Sequence, residues 1–332
     1  MKLKRASLAV MAILFTVVAN ARDFAPAVLY DHAGKFDKSF NQAAYTGAER
    51  FKKEFKINYR EGQIASDAQK EQLLRNMARK GADPIVAVGF VFTQAVEKVA
   101  KEFPHVRFTI IDSVAKGPNI QSVLFKEQEG AFLVGIAAAL ASKTKYVGFI
   151  GGIGIPLINA FGCGYAQGVK YADNKVNIIQ NMVGTTPQAF NDPARGTELA
   201  KSQFDRGVDV VFAAAGGTGL GILKEAKVAH RLSIGVDNNQ NALYPGSVLT
   251  SMVKRVDNVV YTTFRSAQIG EWKPGLHVLG LKEQGIDWAL DQYNRPLISV
   301  EMERKINTAK RDIIDGKIKV IDYRANNNCP VS

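Results

Sequence analysis

The chain has 332 residues, 46% of them hydrophobic and 22% charged, with a formal net charge of +12. Such a composition, with no low-complexity tract, is that of a globular protein and excludes a disordered or fibrous one. Lys and Arg are scattered among acids rather than gathered into a stripe, which reads as a solvated basic surface and argues against a nucleic-acid partner.

In chain order, the first element is a targeting segment. Lys2, Lys4 and Arg5 precede an apolar run, Ala6 to Val18, and then Ala19-Asn20-Ala21. This is the pattern of a secretory signal peptide, residues 1–21, with an A-x-A cleavage site. The run is short for a bilayer span, which needs roughly 20 apolar residues. With no Cys after it to carry a lipid, the mature chain is expected free in the periplasm. Cleavage removes three basic residues and no acid, which lowers the net charge from +12 to +9. About 310 mature residues exceed what one core usually supports, so two domains are expected.

Pro26–Tyr30 then reads as a strand and Ser39–Phe55 as a helix, with Ser39 as N-cap and Ala43, Ala44, Gly47, Ala48, Phe51 and Phe55 on one face. The spacing predicts a helix over 67–79, a strand over 84–88, a helix over 92–103, strands over 107–111 and 121–124, and a long apolar helix over 127–142. The rhythm then restarts. A strand at 146–150, a helix at 157–172 and a strand at 176–180 are followed by a helix at 192–205, with Asp192 as cap and Pro193 at the first helical position. A strand at 209–213, a helix at 219–229 and a strand at 232–236 follow. A strand at 248–252, a helix at 256–270, a strand near Val278 and a helix at 299–315 complete the chain.

Apolar strands alternating with helices mean parallel sheets covered on both faces, an α/β architecture with two doubly wound lobes. The breaks near 125, 253 and 282 divide it into an N-terminal lobe of residues 22–125 plus 254–281, a C-terminal lobe of 126–253 plus 282–322, and a tail, 323–332. Ligands of such sheets sit beyond the carboxyl ends of strands, which here carry Asp31, Gly89-Phe90, Asp112, Gly151, Gly216 and Asp237.

The chemistry at these ends is that of binding. Asp31, Asp112 and Asp237 each close an apolar strand, and a carboxylate accepts from a sugar diol or a purine N–H. Phe36, Phe40, Phe90 and Phe190 stand nearby, and aromatic faces can sandwich a planar ring. The glycine-rich run Ala215 to Gly221 is neither G-x-G-x-x-G nor a P-loop. It serves either close approach to a ligand or close helix–sheet packing. The four histidines stand singly, without metal-ligand spacing, and there is no G-x-S-x-G elbow. Cys163 and Cys329 are either a disulfide fastening the tail, as an exported chain favours, or two separate buried thiols.

Several stretches resemble, in order and over most of the chain, the basic membrane protein family of ABC-importer substrate-binding proteins, which includes purine nucleoside receptors. They are Asp37-Lys38-Ser39-Phe40-Asn41-Gln42, Phe125 to Leu133, Val147 to Gly152, Phe190 to Gly196, Ala215 to Gly219, Gly235-Val236-Asp237 and Thr250 to Asp257. The resemblance implies a type I periplasmic-binding-protein fold. It further implies a non-enzymatic monomer without cofactor or metal, which hands a purine nucleoside, or a free base such as adenine, to a permease in the inner membrane. Phe40 and Phe190 match the base clamp, and Asn41 and Asp112 polar contacts to the base. Asp237 matches the ribose-hydroxyl acceptor, Lys254 a lysine that supports the sugar or holds that carboxylate, and Gly216 the close-approach glycine. Asp31 contacts the ligand or orients its neighbours. The chain departs from the family at Asn238-Asn239-Gln240, where a second acid is common, and in Phe36 and Trp288, either of which is expected to narrow the site. Alternative readings are another planar heterocycle, flavin- or thiamine-like, or an exported nucleoside-processing enzyme.

Overall fold

A computed structural model of the chain describes residues 24–331. The signal segment expected at residues 1–21 lies outside them. The first half runs β1 (Ala27–Tyr30), α1 (Phe40–Phe55), β2 (Arg60–Gln63), α2 (Lys70–Arg79), β3 (Ile85–Val88), α3 (Thr93–Glu102), β4 (Phe108–Ile111) and β5 (Ile120–Phe125). Then come α4 (Glu127–Ala141), β6 (Tyr146–Ile153), α5 (Pro156–Ala172), β7 (Asn177–Gly184), α6 (Pro193–Asp205), β8 (Val210–Ala214), α7 (Gly219–Val228), β9 (Leu232–Asp237) and β10 (Val248–Lys254). The last part is α8 (Val256–Gln268), β11 (Gly275–Leu279), β12 (Ile286–Trp288) and α9 (Val300–Ile314).

These strands form two six-stranded sheets, ordered β11-β5-β4-β3-β1-β2 and β12-β10-β9-β8-β6-β7. All pairings are parallel except β10 with β12. The central strands β1, β3, β4 and β8 are buried along their whole length, as parallel strands covered on both faces must be. β2 reads Arg-Glu-Gly-Gln and β12 has three residues. Both are edge strands, which need no apolar run, and neither was visible in the periodicity.

The chain passes between the sheets three times, and the passages are bonded to their neighbours. Lys126 N donates to Leu279 O at 3.0 Å, and Arg255 N to Gly285 O at 2.8 Å. Helices pack backbone to backbone where glycines allow it. A Cβ on Gly164 would lie 2.4 Å from Gln128 O, and one on Gly168 2.0 Å from Phe132 O, so α5 rests directly on α4. The flanking of Cys163 by glycines reflects this packing rather than exposure, since Cys163 is buried. Its sulfur is bonded to Cys329, with the Cα atoms 5.6 Å apart, and the bond fastens the C-terminal tail to α5.

Capping differs from expectation at one helix. Asp192 and Ser299 cap α6 and α9, accepting from Arg195 N and Met302 N. Ser39 does not cap α1. That work falls to Asp37, whose Oδ1 accepts from Ser39 N at 2.8 Å and Gln42 N at 3.0 Å while Oδ2 accepts from Asn41 N at 3.0 Å. A carboxylate satisfies several unpaired N–H groups at a helix start and opposes the helix dipole. It frees the Ser39 hydroxyl for another partner.

Candidate functional site

The carboxyl ends of both sheets face one cleft, with about 680 Å³ of space free of protein atoms including its mouth. From the first sheet come Asp31 after β1, Phe40 and Asn41 at the start of α1, Gly89-Phe90-Val91 after β3 and Asp112 after β4. From the second come Leu157, Ile158 and Phe161 of α5, Pro187 and Phe190 on the turn after β7, Gly216 after β8, Asp237 ending β9 and Lys254 ending β10.

The lining is aromatic with a few placed charges. Asp112 and Asp237 have φ of +66° and +64°. Non-glycine residues seldom occupy this left-handed region, and they do so where surrounding structure holds them. Asp31 Oδ1 accepts from Asn41 Nδ2 at 2.6 Å and from Ala33 N at 3.0 Å. The Asn41 amide, itself fully buried, also donates to Asp37 at 3.3 Å and so links the cap of α1 to the wall.

Lys254 is 2% exposed. Its Nζ lies 2.5 Å from Asp112 Oδ2 and 3.1 Å from Glu127 Oε1, and 5.1 Å and 5.6 Å from the ring centres of Phe40 and Phe161. Burial opposes the ammonium, yet Asp112, Glu127 and Asp237 together hold its pKa above the ordinary lysine value. Burial pushes the Asp112 carboxyl up, against the pull of Lys254. Lys254 is expected to support the sugar or to hold the carboxylate of Asp237; its nearest partners here are Asp112 and Glu127, and Asp237 acts on it from farther off. Asp237 Oδ2 instead accepts from Ser39 Oγ at 2.6 Å.

That bond joins one sheet's surroundings to the other's, and two more lie beside it. Asn238 Nδ2 donates to Ser39 O at 3.1 Å, and Gln240 Nε2 to Lys38 O at 2.9 Å. The Asn238-Asn239-Gln240 departure therefore has a structural use, because carboxylates could not donate to those carbonyls. Asn239 Nδ2 donates to Asp291 at 2.7 Å, a partner that an acid at 239 would repel.

Two expected residues lie outside the cleft. Phe36 is 61% exposed and packs edge-on against Tyr45. Its neighbour Asp37 points inward to cap α1, which turns Phe36 out. Trp288 is buried in β12, where Nε1 donates to Asn307 Oδ1 at 3.1 Å, so it belongs to the core. Gly216 does line the cleft. At φ +54° it passes under Phe190, whose carbonyl oxygen would lie 3.2 Å from an added Cβ. Gly221 serves helix packing instead, with Pro193 O 1.9 Å from the position of a Cβ. Phe161 and Glu127 were not anticipated. Both sit in helices so apolar that every residue reads as core. A glutamate at the start of such a helix was the available signal for the second.

The comparisons agree with this geometry. Residues 24–323 match the family of PnrA-like ABC transporter substrate-binding proteins. The ABC transporter nucleoside-binding protein BmpA of Lactococcus lactis is 33% identical over 90% of this chain and 89% of its own length. The CD4+ T-cell-stimulating antigen of Listeria monocytogenes is 33% identical over 91% of this chain and 89% of its own. Among solved structures, an ABC transporter solute-binding protein from Aeropyrum pernix superposes with a TM-score of 0.83 at 30% identity, covering 90% of this chain and 93% of that one. Two largely parallel sheets whose carboxyl ends meet at a cleft, in a chain matched to that family almost end to end, have the type I periplasmic-binding fold, and the chain belongs to the PnrA-like substrate-binding proteins of ABC transporters.

Proposed function

We propose that the protein captures a purine nucleoside or free purine base in the interlobe cleft and, as a periplasmic monomer, presents it to the permease of its importer. The observation that carries this reading is Asp112 Oδ1. It is buried at the wall of an aromatic cleft and has no hydrogen-bond partner among the described residues. A buried acceptor left without a donor costs about 1–3 kcal/mol. In this reading an N–H at the edge of a planar ring held between Phe40 and Phe190 satisfies it, and Asp237 opposite accepts from a sugar hydroxyl. The name of the Lactococcus relative supports a nucleoside.

Binding works here by shifting a population. A ligand touched from both sheets favours the closed arrangement over the open one, and the permease reads the closed shape. The test is mass spectrometry of small molecules released from purified, unrefolded protein, with thermal-shift screening of nucleosides and bases. A released purine, or a raised melting temperature with purines alone, supports the reading. A different heterocycle in the released fraction, with no purine shift, overturns it.

A further inference from the structure

We propose that Arg324, on the C-terminal tail, is a positioning residue for the cleft: through Glu127 and Lys254 it fixes the carboxylate of Asp112, and the Cys163–Cys329 bond holds it there. The proposal rests on the reading that Asp112 contacts the ligand. The match to the family ends at residue 323, one residue before Arg324.

Arg324 is locked from several sides. The Asp322 carboxylate accepts from its backbone N at 3.0 Å and from Nε and Nη2, each at 2.9 Å. Nη2 also donates to Phe125 O at 2.9 Å, where the chain leaves the first sheet, and to Gln128 Oε1 at 3.3 Å. Nη1 lies 2.9 Å from Glu127 Oε2. Glu127 is wholly buried, and its other oxygen faces Lys254 Nζ at 3.1 Å, which in turn holds Asp112 at 2.5 Å. A row of alternating charge thus runs from the tail, Arg324–Glu127–Lys254–Asp112, and ends in the cleft. Around Glu127 stand Lys254, Arg324, Asp112 and Asp237, and around Asp112 stand Lys254, Glu127, Asp237 and Arg324.

Three buried carboxylates, Asp112, Glu127 and Asp237, around one ammonium are unbalanced, and an uncompensated buried charge is strongly unfavourable. Without Arg324, Glu127 draws Lys254 from Asp112, and the wall loses its fixed acceptor. The tail that brings Arg324 packs against α5. Gln167 Nε2 donates to Ile321 O at 2.9 Å, Ile321 N donates back to Gln167 Oε1 at 2.8 Å, and the disulfide closes the end.

The experiment compares wild type, Arg324→Gln, Arg324→Lys and the double variant Cys163→Ser, Cys329→Ser. Adenosine affinity is read by calorimetry, and the titration midpoints of Glu127 and Asp112 by carboxyl carbon NMR without ligand. Arg324→Gln is expected to weaken adenosine at least about tenfold and to raise the Glu127 and Asp112 midpoints, with Arg324→Lys recovering much of each change. The double-serine chain is expected to shift both readouts the same way, and to add nothing when combined with Arg324→Gln. If Arg324→Gln fails to fold, the double-serine chain, which keeps every charge, carries the same two readouts. Unmoved midpoints, or affinity within about twofold of wild type, overturn the relay. A wild type that binds neither adenosine nor any other purine nucleoside or base of the thermal-shift screen, with both midpoints raised in Arg324→Gln, supports the relay and overturns the purine reading instead.

Discussion

The two carboxylates that face each other across the cleft are built alike and held differently. Asp112 and Asp237 each end a buried strand of their own sheet in left-handed backbone. Asp112 is neutralised by a cation, Lys254, within a buried row of charges. Asp237 is bonded to a hydroxyl, Ser39, that reaches over from the opposite side. Both contacts cross between the sheets, since Lys254 ends β10 of the second and Ser39 precedes α1 beside the first. They differ in kind: the first is a buried ion pair that fixes an acceptor for the ligand, and the second a single hydrogen bond that is easily made and broken as the sheets move.

The comparison can be broken most forcefully at Lys254. Lys254→Met leaves Asp112 and Glu127 buried without their common cation, and a loss of about 3–5 kcal/mol in unfolding free energy is expected by urea titration. A loss as large from Asp237→Ala would erase the distinction between the walls. Asp237→Ala is expected to act on binding instead. It should weaken the proposed purine ligand at least about tenfold by calorimetry while leaving the melting temperature close to wild type. Ser39→Ala sharpens the contrast on a smaller scale. It removes one interlobe hydrogen bond, worth about 1 kcal/mol, so affinity falls roughly fivefold, and solution scattering of the unliganded chain shows a more open envelope.

A separate effect concerns pH. Burial pushes the Asp37 carboxyl from 3.8 up to about 7, against the lowering pull of its backbone N–H partners. The folded chain thus holds a proton there that the unfolded chain has released. Stability from this group is greatest at low pH and falls as pH rises between the two values, by up to about 1.4 kcal/mol per unit. Asp37→Asn is expected to flatten that part of the curve of melting temperature against pH. An unchanged slope would show that Asp37 stays ionised throughout.

The alternation of buried strands and helices was readable because parallel strands covered on both faces must be apolar along their length. The acids ending them were readable for the same reason, since an Asp at the end of a short, mostly apolar run breaks the pattern. β2 and β12 were hidden because an edge strand answers to fewer constraints. Phe36 misled because proximity to Asp37 along the chain says nothing about which way each side chain turns. Trp288 misled because a tryptophan without a known role invites one, and here it packs the core against α9. Ser39 fits the rule for helix starts, but Asp37 takes that place with two oxygens to the hydroxyl's one. The link from Arg324 to Asp112 was beyond reach, for it joins residues far apart in sequence whose charges match only after both sheets have formed.

The three passages between the sheets also dictate an order of assembly. The first sheet takes its edge strand β11 from residues 275–279, after all but β12 of the second has been made. A nascent chain emerging in order can complete most of the later sheet before the earlier one is whole. Residues 24–125 must wait in a form lacking both β11 and the α8 that packs on α1. Pairing across such a separation is slow, because the loop must close before its contacts repay it. During that interval β5 presents an unpaired edge, the kind of surface on which a partly made chain associates with its own copies.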